Sequence, residues 1–524
     1  TFRREAPKAL NGQVTFHWPL EFPEVMVERG GFDAFVGNPP FLGGKRIAPT
    51  LGDTYQSFIK ETICQAKGAA DFCVFFLTRA EQLVEANSGR IGLLQTNTVA
   101  QGDTREVGLA KMLERGCVLT SAISSMKWPS FGASLEVSVV MLSKGEWHGE
   151  RLLDELRVTE ITSYLTLGEE LGSPNRLAQN QGRSFIGVTL LGDGFLLSPD
   201  RANALIAKDS RYQILFRPFI NGKDFNSTPD FTPSRFVPDF GDMNEDDAAR
   251  YVDVFAHLRD TVAVQRSKLY RQIHETCFWK FWDKRKLLQE KLRGQTHVIV
   301  RALTSKHFAF GVIPSSYVID QTLLIFPDLS LFPVLQSSLH EVWSLQYGAT
   351  LETRPRYSLS DCFQTFPFPV DQLKSSVVSS AEGLSEITVA YQGVRYTVMQ
   401  EFNCGLTDLY NKLHDKRNET RTDIQMLRQL QVEMDNAVAA AYGWTDLDLG
   451  HGFHETKQGV RYTISEPARR EVLARLLKLN HERYAEEVKQ GLHEKKKPKA
   501  TKGKKQAEAN TQAGPSLFGE EDDL

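Results

Sequence analysis

Four consecutive residues, Asn38-Pro39-Pro40-Phe41, bring together side chains and carbonyls that could do chemistry. The Asn38 amide oxygen and the Pro39 carbonyl are two neutral acceptors, and Phe41 sets a flat π-face beside them. Each proline fixes its own φ and restricts the residue before it, so Asn38 and Phe41 project from a stiff, extended loop. Two acceptors and one aromatic plate suit a planar ring with an exocyclic NH₂ group, such as adenine. The amine's lone pair is delocalised into the ring, which makes the nitrogen a poor nucleophile. Accepting both N–H bonds favours a pyramidal nitrogen, whose lone pair can attack a methyl group in line without a covalent enzyme intermediate. The plain alternative is a loop-opening turn, since Asn-Pro is an ordinary turn signal.

Such a loop needs elements to hold it. The short apolar run Phe32-Asp33-Ala34-Phe35-Val36 reads as a buried strand leading into Gly37. A stiff loop at the carboxyl end of a buried strand is where open α/β sheets place their ligand chemistry. The aromatic, proline-rich stretch at 16–23 is expected to pack beside it. Helices are predicted over 55–67 and 71–86, the second with Phe72, Phe75, Phe76, Ala80 and Leu83 at helical spacing. A strand over 90–95 follows, with Thr96-Asn97-Thr98 at its carboxyl end. A helix over 104–115 stops at Gly116, and strands over 118–123 and 135–142 sit close together. This succession predicts a mainly parallel sheet closed by an antiparallel hairpin.

Asn38-Pro39-Pro40-Phe41 resembles motif IV, the (N/D/S)PP(Y/F/W) motif of amino-group methyltransferases that use S-adenosylmethionine. Three longer stretches resemble, more narrowly, the adenine-specific (N6) DNA methyltransferases of type IIG restriction–modification proteins and DISARM-type phage-defence systems. They are Gly31-Phe32-Asp33-Ala34-Phe35-Val36-Gly37-Asn38-Pro39-Pro40-Phe41-Leu42-Gly43-Gly44, Gln95-Thr96-Asn97-Thr98-Val99-Ala100-Gln101-Gly102-Asp103-Thr104-Arg105 and Phe363-Gln364-Thr365-Phe366-Pro367-Phe368-Pro369. The likeness runs to about Arg483 and covers the C-terminal portion of such proteins, from the NPPF motif onward. The implied fold is α/β: the late half of a Rossmann-like class I methyltransferase sheet, then an α+β target-recognition domain and a helical C-terminal region. The corresponding divisions are 1–150, 151–375 and 376–490, with a charged tail at 491–524.

The resemblance implies methyl transfer from S-adenosylmethionine to N6 of adenine in double-stranded DNA, in restriction–modification or antiviral defence. Asn38 and Pro39 would accept from N6, Pro40 would hold the loop's shape and Phe41 would stack. The family's base pocket is lined near Trp128-Pro129-Ser130-Phe131-Gly132. Phe131 or Trp128 would stack on the base's other face, or both would pack within the hairpin. Asp71 matches the motif V region, where it contacts the cofactor or simply caps its helix; the cap is favoured.

These methyltransferases hold their cofactor mainly through an F-x-G-x-G loop after the first strand and an acidic residue after the second. Neither is found here: Gly192-Asp193-Gly194 and Gly450-His451-Gly452 do not follow a strand with a helix to come. In families with this motif order the glycine loop precedes NPPF. The cofactor half is therefore expected upstream in a longer polypeptide, or on another chain such as a defence-system subunit. This chain alone is expected to bind cofactor weakly or not at all. The alternative is a DNA-binding specificity module that needs a partner with the cofactor-binding half. A third possibility is methylation of a glutamine side-chain amide, which is also a conjugated NH₂.

Composition bounds these expectations. At 524 residues the chain is more than one domain, and with a net charge of −3 any nucleic-acid surface must be a local patch. Cations beside aromatics at 150–370 offer that patch: Arg217, Lys223, Lys280, Lys284, Arg285, Arg354 and Arg356, with Phe278, Trp279, Phe281 and Trp282 either stacking on bases or, as is commoner for any single residue, packing in a core beneath a solvated charged face. The six cysteines are scattered singly, which suits a reducing cytoplasm and indicates no zinc ribbon. None follows a proline, against a Pro-Cys cytosine-C5 nucleophile. The histidines near 451–454 are too few for a metal site. No apolar stretch approaches a membrane span of about 18–20 residues. An apolar stripe from Ile424 to Ala441 and the start Ser465-Glu466-Pro467 predict C-terminal helices. The lysine-rich run after 494 is expected to be disordered and to touch DNA non-specifically.

Overall fold

The strand that leads into Asn38 lies at the edge of a six-stranded sheet. Its strands are β1 (Ala34–Gly37), β2 (Arg90–Thr96), β3 (Cys117–Lys127), β4 (Glu136–Lys144), β5 (Arg151–Leu153) and β6 (Leu156–Val158), in the order β1-β2-β4-β3-β5-β6. The computed structural model describes residues 16–64, 68–128, 136–167, 170, 172–268, 277–351, 354–369, 377–456 and 458–493, with backbone only at 127, 349–351, 354 and 377–385.

β1 runs parallel to β2, as a helical crossover requires. Between them in sequence lie α1 (Gly44–Leu51), α2 (Asp53–Ile59), which runs on into a π-helical turn at Lys60–Cys64, and α3 (Phe72–Leu83). A helical run over 102–114 joins β2 to β3 and ends at Gly116, whose φ is +87°. β4 then pairs antiparallel with both β2 and β3. The sheet is therefore mixed rather than mainly parallel, because the return from β3 carries β4 between β2 and β3. The composition of β4 suits that central place, with Val137, Ser138, Val140, Leu142 and Ser143 all buried.

The two faces of this sheet differ. On one, Ile91, Leu93, Leu119, Ala122, Val140 and Leu142 share a core with Val74, Phe75 and Leu77 of α3. On the other, the register sets Val36, Gly92 and Met141 in one row. Val36 is 87% exposed and Met141 47%. Leu94 and Val139 make the next row and are half-buried. β1 is thus not the buried strand its apolar run predicts: Ala34, Val36 and Gly37 are exposed, because the strand is an edge with one uncovered face. The lead-in does pack on it. The rings of Trp18 and Phe22 stand edge-on to Phe32 at 5.4 and 5.5 Å.

Beyond 184 the strands shorten: β7 (Phe185–Ile186), β8 (Phe216–Ile220), β9 (Arg235–Pro238), β10 (His297–Ala302), β11 (Gly311–Pro314), β12 (Val318–Ile319) and β13 (Leu323–Phe326). They form two sheets, ordered β11-β10-β13-β7 and β12-β8-β9. A final short hairpin pairs β14 (Ala349–Leu351) with β15 (Arg354–Arg356). The C-terminal helices α4 (Val377–Glu401), α5 (Leu406–Leu413), α6 (Thr422–Ala441) and α7 (Glu466–Lys489) follow. On α6 the buried side is the predicted stripe, with Ile424, Leu427, Leu430, Met434 and Val438, each worth roughly 1.5–3 kcal/mol of burial. Ser465 caps α7, its side chain accepting from the Ala468 amide, with proline in the first turn. One core joins Val298, Ile325 and Leu335 to Leu409, Leu427 and Val472, so the helices pack on the sheet containing β10 and β13. Between α6 and α7 a hairpin that the sequence does not announce pairs Gly452–Thr456 with Gly459–Thr463. Among the described residues no helix is long and apolar enough to cross a membrane.

Candidate catalytic loop and nucleic-acid interface

At the carboxyl end of β1 the diproline corner stands open to solvent. Asn38 and Pro40 are exposed, Pro39 is buried and Phe41 is half-buried. The Phe41 ring meets Trp128 edge-on, with 6.3 Å between centroids. Trp128 immediately follows β3, so the hairpin end of the sheet and the loop share an aromatic pair. Phe131, the other stacking candidate, lies outside the described residues.

The loop's exit is tied to the start of α3. The Leu42 carbonyl accepts from the Phe72 amide at 2.8 Å. The Gly44 amide donates to Asp71 Oδ1 at 3.1 Å. Asp71 occupies the N-cap position of α3 with extended backbone, yet its carboxylate makes no cap bond. Its Oδ2 instead accepts from Thr96 Oγ1 at 3.0 Å and Thr98 Oγ1 at 2.6 Å. The favoured cap therefore gives way to a bridge between the loop's exit and the end of β2. The segment before Asp71 is held from the same side: the Ala69 amide donates to Asp103 Oδ2 at 2.7 Å and the Asp71 amide to Thr104 Oγ1 at 3.1 Å. Thr96, Thr98, Asp103 and Thr104 all belong to the 95–105 stretch that the resemblance marks without assigning roles. The nearby Cys73 thiol is pushed up by burial, so it stays protonated beside Thr96. At the same sheet end, Glu136 Oε2 accepts from Asn97 Nδ2 at 3.3 Å and from Ser125 Oγ at 3.1 Å.

The candidate DNA contacts divide into two kinds. Arg217 is held internally, Nη1 donating to Asp239 at 2.9 Å and Nη2 to the Ser316 carbonyl at 2.9 Å. Lys284 pairs with Asp242 at 2.7 Å, Arg285 with Asp283 at 3.0 Å, and Lys280 reaches the Asp242 carbonyl at 3.4 Å. Lys223 and Arg356 are exposed, with no side-chain partner among the described residues. The Arg354 side chain lies outside the described residues. The aromatics between these cations are not stacking platforms: Phe278, Trp279 and Phe281 are buried in a core with Phe195, Phe219 and Val254. A large ring loses more by staying in water than its lysine neighbours gain from company, so burial wins. Trp282 is 37% exposed.

Comparison with known proteins gives the loop and this region separate counterparts. Residues 4–119 match the family model of the Eco57I restriction-modification methylase, and residues 185–370 match that of the MmeI target recognition domain. The curated DNA methyltransferase A of Bacillus subtilis (strain 168) is 22% identical over 375 residues, 67% of this chain and 40% of that protein. The solved structure of the type IIL restriction-modification enzyme MmeI in complex with DNA has a TM-score of 0.64 at 18% identity, over 86% of this chain and 57% of that one. The last likeness shows a shared α/β fold running through both regions. The chain spans 40% of the curated relative and 57% of the solved one.

Proposed function

We propose that this chain is the catalytic-loop and target-recognition part of a site-specific DNA methyltransferase acting on N6 of adenine in double-stranded DNA. Its setting would be cytoplasmic restriction–modification or phage defence. The observation that carries this is a solvent-open Asn-Pro-Pro-Phe corner, at the carboxyl end of a sheet strand, joined in one chain to a region matching a target recognition domain. The target adenine leaves the stack, since its amine is out of reach inside a duplex. Asn38 Oδ1 and the Pro39 carbonyl accept its two N–H bonds, Phe41 stacks on the ring and Pro40 keeps the corner stiff. Catalysis then rests on positioning and on acceptors fixed before the reaction. Lys223 and Arg356 are first choices for phosphate contact. Arg217, Lys280, Lys284, Arg285 and Arg354 complete the proposed surface, and exposed ion pairs such as Lys284–Asp242 are weak enough to be traded for phosphate.

S-adenosylmethionine is the proposed methyl donor. The described residues do not fit it. The Asp71 carboxylate is engaged by Gly44, Thr96 and Thr98. Gly192 and Gly194 sit at a short turn packed on Thr261 and Val262, and Gly450-His451-Gly452 leads into a hairpin. The cofactor cradle is therefore assigned to other strands of the same sheet, upstream or on a partner chain. The free edge of β1 among the described residues and the exposed apolar row at Val36 and Met141 support that assignment, since a contiguous apolar strip marks a place that something covers. In the complete protein Asn38→Ala is expected to abolish N6-methyladenine, read by mass spectrometry of digested DNA, while gel-shift binding persists. Retained methylation overturns the role given to the loop.

The poor fit to the cofactor also favours the alternative, a specificity subunit that recognises DNA and hands it to a catalytic partner. Gel shifts of this chain with cognate and scrambled DNA, paired with calorimetry against S-adenosylmethionine, separate the two. Tight cofactor binding by this chain alone contradicts the assignment of the cradle elsewhere.

A further inference from the structure

Within the NPPF corner itself, only the buried Pro39 and the Phe41–Trp128 ring contact hold it to the sheet among the described residues. β1 is an exposed edge strand, and Asn38 and Pro40 are in solvent. What anchors the corner lies just downstream. Gly44 is pressed against the 69–70 backbone so closely that a Cβ there would meet the Ala69 carbonyl oxygen at 2.2 Å. Its amide is held by Asp71 Oδ1, and the other oxygen of the same carboxylate holds Thr96 and Thr98. The two threonine hydroxyls are themselves 2.6 Å apart. Three oxygens thus share two hydroxyl protons, an arrangement that keeps Asp71 an acceptor on both sides. The carboxylate spans residues 27 apart on one side and 25 to 27 apart on the other. It joins the loop's exit to the turn that ends β2.

We propose that Asp71, with Thr96 and Thr98, is a positioning residue for the NPPF loop and not a cofactor ligand. This rests on the loop's proposed role as the amine acceptor. The bridge fixes Gly44, and through the four residues Pro40 to Gly43 it constrains where the Pro39 carbonyl and the Asn38 amide stand relative to the sheet. Loss of the bridge lets the acceptors drift, and a misplacement of about 1 Å can cost on the order of a hundredfold in rate. The methyl donor's binding is not touched, because both oxygens of the carboxylate are already engaged by Gly44, Thr96 and Thr98.

The test is steady-state methylation by the complete protein. Tritiated S-adenosylmethionine and unmethylated genomic DNA serve as substrates. Asp71→Ala is expected to lower kcat by about tenfold to a hundredfold with the KM for S-adenosylmethionine unchanged. Asp71→Asn keeps an acceptor for Gly44 and a donor for two hydroxyls, so it is expected to recover most of the rate. Thr98→Val, nearly isosteric, is expected to lower kcat partway and to add nothing in the Asp71→Ala background, because the groups act as one unit. If Asp71→Ala fails to fold, judged by circular dichroism, Thr98→Val and Asp71→Asn carry the test. A raised KM with kcat preserved identifies a cofactor ligand and overturns the proposal, as does wild-type kcat in Asp71→Ala or in Thr98→Val. An Asp71→Asn as slow as a folded Asp71→Ala also overturns it. Asn38→Ala run alongside keeps the two questions apart: full activity there removes the loop's role, whereas its loss with unaffected Asp71 and Thr98 variants removes only the bridge.

Discussion

Two adjacent glycines follow the NPPF corner, and the structure asks different things of them. At Gly44 a Cβ would meet two carbonyl oxygens, of Ala69 at 2.2 Å and of Ala70 at 2.6 Å. Both are backbone atoms and cannot rotate away. At Gly43 the backbone is ordinary, with φ −61° and ψ 142°, and the nearest atom to a Cβ is Asp71 Oδ1 at 3.8 Å. Gly44→Ala is therefore expected to destabilise by about 1–3 kcal/mol, as overpacking does, and to move the loop. Gly43→Ala is expected to be near neutral. Thermal melts of the pair check this, and equal melting temperatures would show that the 69–70 backbone yields. Nothing in Leu42-Gly43-Gly44-Lys45 distinguishes the two glycines. Their difference comes from residues about 25 positions away, as does the partnership of Asp71 with Thr96 and Thr98. The chemistry proposed for the corner is legible in its four residue types because the groups it uses are adjacent in sequence. The bridge was not, because a carboxylate before a helix looks like a cap until its distant partners are seen.

At the scale of elements the same division holds. Helices α6 and α7 follow from stripe and cap, which are properties of neighbouring residues. Strand order does not: β4 enters between β2 and β3 through pairing across the whole sheet, which alternation cannot encode. The hairpin at 452–463 is another such element, and it is fastened by one buried imidazole, His307, and one half-buried, His414. His307 Nδ1 accepts from Arg461 at 2.9 Å, and its Nε2 faces Asn411 Oδ1 at 2.9 Å. The Tyr462 amide donates to His414 Nδ1 at 3.2 Å. Burial holds His307 down to about 4 against the opposing pull of its bond to Asn411, with Arg461 and Lys306 adding to the lowering, and burial lowers His414 as well. In the unfolded chain each takes a proton near its ordinary value of about 6.5. The unfolded state therefore binds protons first. The stability these residues contribute is full above that value and is lost as the pH falls from there towards 4. For His307 alone the loss comes to about 2 kcal/mol by pH 5. Melting temperature is expected to fall between pH 7 and pH 5, less steeply in His307→Gln. A variant with an unchanged slope would show that this histidine is not the group titrating.

Over the whole molecule, the contrast is between the sheet of β10 and β13, which shares one core with the C-terminal helices, and a loop-bearing sheet that leaves apolar side chains in water. Val36 at 87% exposure and Met141 at 47% stand in the same row, with Leu94 and Val139 half-buried beside them. A contiguous apolar strip on a sheet face marks a place that something covers. If the cofactor-holding strands and helices complete this sheet, the strip becomes interior in the complete protein. Val36→Thr tests this with little change of shape, because both side chains are β-branched and suit a strand. In this chain alone the added hydroxyl faces water, and the substitution is expected to stay within about 0.5 kcal/mol of neutral. In the complete protein the same hydroxyl is buried against apolar neighbours, at a cost of roughly 1–3 kcal/mol unless it finds a partner. Denaturant melts of both forms, with and without the substitution, give the comparison. An equal effect in the two would mean that Val36 stays exposed when the protein is whole, and the cofactor half would then have to be sought against a different surface.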